Sequence, residues 1–136
     1  MENEKNAFLL MDEYSKKIDM DTQIDATNIF EKQLLAPNLK HQWLYKLVQC
    51  KRTLIELTEK RDDIINGLVN NNPMGINSKA SVKFNAERSP DVIKLNKKIR
   101  EQELLVDYLD GAVNKIFSQM GFDFKNLVEL LKLEQI

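Results

Sequence analysis

Two long stretches of the chain repeat apolar residues at alternating steps of three and four. In the first, Trp43, Leu47, Cys50, Leu54, Leu57, Arg61, Ile64 and Leu68 follow one another in that rhythm. In the second, Val92, Leu95, Ile99, Gln102, Val106, Leu109, Val113, Ile116 and Met120 do the same. Such spacing puts each set on one stripe of a long helix and reads as a heptad seam. Two seamed helices joined by a connection most simply form an antiparallel hairpin. Each seam carries a polar exception. Arg61 marks either the point where the first seam leaves its partner or an arginine held for binding. Gln102 is the kind of interruption that fixes register at some cost in stability.

The remaining pattern is shorter-ranged. Ala7, Leu10, Met11, Tyr14 and Ile18 predict a first helix over Asn6 to Lys17. The Asp and Thr residues of "DMDTQIDATN" suit a turn or cap. A short helix near Ala26–Leu35 is expected to end before Pro37, because the residue preceding proline is pushed out of the helical region. The first long helix then covers 38–68. Asn70, Asn71, Asn72, Pro73 and Gly75 break it, and 69–88 reads as a loop in which "ASVKFNA" alternates weakly, as a short strand would. The second long helix covers 89–120, with Ser89 as N-cap and Pro90 in the first turn. Gly111 inside it implies close packing, since glycine costs a helix ~1 kcal/mol. Gly121 is expected to end that helix as a C-cap, and a last helix to begin at Asp123.

That last segment, 121–136, spreads its apolar residues beyond one stripe. Phe124, Leu127, Val128, Leu130, Leu131, Leu133 and Ile136 give it more apolar face than its own hairpin can cover. Burying one large apolar side chain stabilises by roughly 1.5–3 kcal/mol, so a few per subunit suffice to drive assembly. Phe124, Leu127, Val128, Leu130 and Leu131 are therefore the expected oligomer interface, with an internal cap on the bundle as the alternative. The fold class read from the whole pattern is all-α: an antiparallel long-helix hairpin, a short N-terminal helical region over 6–37, and an apolar C-terminal helix used for oligomerisation. One domain accounts for the length.

Composition agrees with this and adds a charge asymmetry. Charged residues make up 30% of the chain and aromatic ones 7%. The formal charge of −1 conceals two acidic ends and two basic middle blocks, residues 40–61 and 79–100. A basic middle within a near-neutral chain is a local electrostatic footprint. Lys51, Arg52, Lys60 and Arg61 lie on the first long helix, and Lys79, Lys83 and Arg88 lie in the connection. A phosphate backbone asks for clustered Lys and Arg of this sort, without base-specific geometry. Aromatic residues among them are few, Phe84 being one. The plainer alternative is that these charges solvate helix faces.

Catalysis finds little to work with. There is no Gly-rich phosphate loop, no G-x-S-x-G and no H-E-x-x-H. His41 is the single histidine, so no metal site is expected. Cys50 is the single cysteine; it lies on the seam as a small hydrophobe and fits a reducing compartment. No catalytic residue and no cofactor is expected. With no apolar run long enough for a membrane span and an acidic N-terminus unlike a signal peptide, the expected place is the cytoplasm.

Three stretches carry a resemblance. "DYLDGAVNKIFSQMGFDFKNLVEL" resembles a helix reading hydrophobic-D-x-hydrophobic-x-G-A-hydrophobic, then a G-F break and a final apolar helix. "KKIDMD" is similar to an N-terminal K-K-D-x-x-I-D segment, and "HQWLYKLVQCKRTLIELTEKRDDIINGL" to a W-L-anchored, lysine-rich long helix. Together they resemble the UvsY recombination mediator family of T4-like bacteriophages, in order and spacing, over most of the chain outside 69–88. Two positions depart from that pattern. The family's Tyr-Tyr before glycine is Ile64-Ile65 here, and its K-x-R pair falls at Lys60-Arg61, with Glu59 in the other slot.

The resemblance implies a ring-like homo-oligomer, of about six or seven subunits, held largely by the C-terminal helix. It further implies binding of single-stranded DNA and help for a RecA-like recombinase in displacing single-strand-binding protein, without catalysis, in the host cytoplasm if phage-encoded. The basic residues before the glycine, Lys60 and Arg61, are the pair it implicates in DNA binding. Two rivals stay open: a helical adaptor that binds a protein partner through its seams, and a small enzyme.

Overall fold

The structure, a computed structural model, describes residues 6–71 and 79–134. The helices are α1 (Ala7–Thr22), α2 (Ile29–Asn70), α3 (Lys79–Glu87), α4 (Pro90–Gly111) and α5 (Phe117–Glu134), with a π-helical turn at Ala112–Ile116 joining the last two. No strand occurs among the described residues. The all-α hairpin expected from the two seams is present: α2 packs along α4. Its direction follows from the cross-contacts. Lys40 meets Ser118, Trp43 meets Phe117, Cys50 meets Gln102 and Arg61 meets Asn96. Partner numbers fall as α2 advances, so the helices are antiparallel.

The seams supply part of the core, with Leu68 and Ile116 of the expected stripes exposed. Trp43, Leu47 and Cys50 of α2 are buried, as are Val92, Leu95, Ile99, Gln102, Val106 and Leu109 of α4. The main cluster sits at the Trp43 end, where α1 closes over the hairpin. Asn6 caps α1 by accepting the Leu9 N–H at 2.9 Å, and Ala7 and Ile18 are buried, with Leu10, Met11 and Tyr14 packed beside them. Trp43 ties three helices together. Its ring meets Tyr14 edge-on at 5.4 Å and stacks with Phe117 at 6.4 Å, while its Nε1–H donates to Asp21 Oδ2 at 2.9 Å.

Four expectations are corrected. The helix does not end before Pro37, which lies inside the 42-residue α2. A helix-interior proline leaves a carbonyl, here that of Gln33, without its backbone donor and costs about 3 kcal/mol. The first turns are nevertheless anchored: Ile29 is buried, Ala36 and Leu39 pack on the core, and Lys32 Nζ donates to the Met20 and Asp21 carbonyls at 3.1 and 3.3 Å. Tertiary packing of this kind overrides local propensity.

The stretch "ASVKFNA" is helix α3, not a strand. Val82 and Ala86, four apart, are buried against the hairpin while Phe84 between them is exposed; a helix allows this, whereas an alternating strand would put all three on one face. The expected break at residues 72–78 lies outside the described residues. Gly121 does not cap a helix: no described glycine has positive φ, and α5 runs through it. The residues on either side, Met120 and Phe124, are buried four apart on one face and hold the turn helical. Finally, Gly111 is not a close-approach position, since a Cβ there would meet nothing within 4 Å. It is instead the last residue before the π-helical turn.

Candidate nucleic-acid interface

At the end of the hairpin away from Trp43, α3 takes the flanking position that α1 holds at the other end. Ser89 starts α4 by accepting the Val92 N–H at 3.4 Å, and the Arg88 and Ser89 N–H groups bond the Asn85 and Ala86 carbonyls. The short junction this makes folds α3 back beside α2. Between the three helices lies an open cleft of about 510 Å³. Arg61, Asp62, Ile65 and Asn66 line it from α2, Lys83 and Glu87 from α3, and Val92 and Asn96 from α4.

Arg61 is the centre of this cleft. Its place on the seam turns it towards Asn96 of α4. Nη1 donates to Asn96 Oδ1 at 3.1 Å, and Nε donates to Asp62 Oδ1 at 3.2 Å. These bonds occupy two of the five N–H donors of a guanidinium and hold its plane. Its side chain is 29% exposed, enough to present the remaining donors to the cleft. Both readings of Arg61 keep support: Asn96 and Asp62 hold the guanidinium, and burial along the α2 seam weakens beyond Cys50, with Leu68 exposed. Lys83 faces the same space, loosely paired with Glu87 at 4.0 Å. Arg88 lays its guanidinium over the Phe84 ring, 5.2 Å from the centroid.

The structure thus brings Arg61 and Lys83 together in the cleft lining; Lys60 and Arg88 are exposed but are not among its lining residues. It does not bring in Lys51 and Arg52. Both are exposed on α2, but they stand nine or ten residues upstream of Arg61, ~14 Å along the helix axis. The Lys79 side chain lies outside the described residues. Within the cleft, Asp62 and Glu87 balance Arg61 and Lys83; any positive excess comes from exposed basic residues elsewhere on these helices, Lys60 on α2, Arg88 after α3, and Lys94, Lys97 and Lys98 on α4. Asn96, the residue that fixes Arg61, has no sequence signal, because its partner is 35 positions away.

Of the five residues expected at an oligomer interface, Phe124 is buried in the chain's own core. Leu127 and Val128 pack partly against that core, Leu131 is half-buried and Leu130 is exposed. Leu133 and Phe122 are also exposed on α5. Cys50 is buried, and burial pushes its thiol pKa up, opposed in part by Lys46. No group of His, Cys, Asp and Glu fit to hold a metal occurs among the described residues, and none of their helices is long and apolar enough to cross a membrane.

A helical hairpin with a cleft lined by Arg61 and Lys83 at one end agrees with what the chain is similar to. Residues 17–135 match the family model described as "Recombination, repair and ssDNA binding protein UvsY", which sets the class: a helical protein of DNA recombination and repair. The match spans far more than half of the chain, and the chain belongs to the UvsY family. Its fold is that of the bacteriophage T4 recombination mediator protein UvsY. One crystal form of that protein superposes with a TM-score of 0.77 at 18% identity, covering 91% of this chain and 98% of that one. A second gives 0.74 at 17% identity, covering 92% and 97%. No curated protein matches the chain by sequence.

Proposed function

We propose that the chain is a recombination mediator. As a ring-like homo-oligomer it binds single-stranded DNA and promotes loading of a RecA-like recombinase onto DNA covered by single-strand-binding protein. It acts in the host cytoplasm, by binding alone. The observation that carries this is Arg61, held by Asn96 and Asp62 in an open cleft that Lys83 also lines, within helices that carry further exposed basic residues. Preorganised guanidinium and ammonium groups neutralise phosphates and release counterions whatever the base sequence. Repetition of one modest patch around an oligomer converts weak contacts into firm binding of a long strand. The outward leucines of α5, Leu130 and Leu133, supply apolar surface for such an assembly.

The test is fluorescence anisotropy of labelled oligothymidine against a duplex of equal length, titrated across salt. Binding that prefers the single strand and weakens steeply with salt is expected. Absence of binding at low salt would overturn the reading. A second reading, a helical adaptor for a protein partner, draws support from Phe30 and Leu34, which stand 82% and 80% exposed on the first turns of α2. It is the reading that remains if no nucleic acid binds.

A further inference from the structure

α3 presents faces of different character. Val82 and Ala86 are buried and fix the helix to the hairpin, while Lys83 and Glu87, one residue further round, line the cleft. One more step round, Phe84 and Arg88 look outward. Phe84 leaves 56% of its surface exposed, and the Arg88 guanidinium covers part of its ring. An exposed phenyl ring forgoes burial, and one laid against arginine within a basic block is equipped to accept a flat π-system.

The cleft cations cannot tell one strand from two, since phosphate contacts position a nucleic acid without reading it. A ring face can. In a duplex the base faces are stacked on one another; in a single strand they are free to stack on an aromatic side chain. We infer that Phe84 is the base-stacking residue of this surface and gives it preference for single strands, a role that rests on the single-stranded DNA reading above. Lys83 and Phe84 are consecutive, about 100° apart around the helix, so a phosphate held at Lys83 brings the adjoining base to the ring. The base takes the ring face that Arg88 now covers, and the displaced guanidinium stays beside the next phosphate. Charge and stacking then come from one turn of one helix.

The experiment compares three ligands with the full chain by anisotropy: oligothymidine, an abasic strand of the same length, and a duplex. Wild type should favour oligothymidine over the abasic strand. Phe84→Ala should weaken oligothymidine binding at least ~5-fold, the lower end of what one stacked base contributes, and leave abasic binding and the salt slope unchanged. Phe84→Trp should restore affinity, with indole emission quenched on binding. Equal losses on both strands, or no loss on either, would overturn the assignment. So would an altered assembly mass for Phe84→Ala by light scattering, which would place the ring against a second copy of the chain. A wild type that binds neither strand removes the DNA reading and Phe84's role with it; a binding wild type with an unimpaired Phe84→Ala removes Phe84's role alone.

Discussion

The side-chain amide of Gln102 donates to the backbone carbonyl of Cys50 across 3.0 Å, joining the two long helices inside their apolar seam. A buried amide is tolerated there because it is bonded, and its bond is available at one sliding position of α4 along α2. Gln102→Ala should lower stability by about 1–3 kcal/mol, from the cavity and the lost bond together. Gln102→Met, which keeps the volume, should cost less than about 1.5 kcal/mol. Urea unfolding at fixed chain concentration separates the two.

Arg61 and Asn96 should be distinguishable by salt. The double change Lys60→Ala with Arg61→Ala removes up to two cations that can reach phosphate. It should therefore weaken oligothymidine binding and reduce the steepness of its salt dependence by about one to two, with assembly mass unchanged. Asn96→Ala keeps every charge but frees the guanidinium. It should cost several-fold in affinity at an unchanged slope. Equal slopes in all variants would place the phosphate contacts elsewhere.

On α5 the apolar residues divide into two groups, and their variants should behave differently. Leu130→Glu combined with Leu133→Glu should reduce the mass seen by light scattering to that of the 15.9 kDa chain while the helical circular dichroism persists. Phe124→Ala, which empties a core site, should instead lower stability by about 3–5 kcal/mol. An undiminished mass in the leucine pair would assign assembly to another face.

Cys50 provides a pH and reactivity test. Burial raises its thiol pKa in the fold, so the native chain holds that proton at pH values where an unfolded chain releases it. Stability from this group is complete below the unfolded thiol's range and falls as pH rises through it, because deprotonation favours the unfolded chain. Alkylation of the native chain near pH 8 should be at least about ten-fold slower than in urea.

How legible was all this in the residues? The seams were in part, because a core built by two long stripes repeats its own period in sequence: Trp43, Leu47, Cys50, Val92, Leu95, Ile99, Gln102, Val106 and Leu109 are buried as their spacing requires, while Leu54, Leu57 and Ile64 are half-buried and Leu68 and Ile116 exposed. Pro37 and Gly121 misled because each has a strong local preference that anchoring neighbours overrule. α3 misled for a different reason: Val82, Phe84 and Ala86 alternate, and the Val82–Ala86 pair also fits a helix, so the hairpin they pack on decides. The π-helical turn left no mark in the pattern. In the cleft, Arg61 and Lys83 were legible as basic residues, while their meeting depended on where α3 folds back and on Asn96.

Gly121 itself can be tested. It sits exposed in mid-helix, with open space where a Cβ would go. Gly121→Ala should stabilise the chain by about 0.5–1 kcal/mol through lower unfolded-state entropy and better helix propensity. A loss of stability would reveal a neighbouring subunit lying against that turn.

The length of α2 has an evolutionary consequence. Trp43, where α1 and α5 converge, and Arg61, where α3 and the cleft lie, are eighteen residues apart, or ~27 Å along one rod. Changes that far apart add almost independently. Selection can therefore retune the Arg61 end without disturbing the base anchored at Trp43. A lineage keeping the tryptophan hub stays free to swap tyrosines for Ile64 and Ile65, shift a lysine by one position, or rebuild α3.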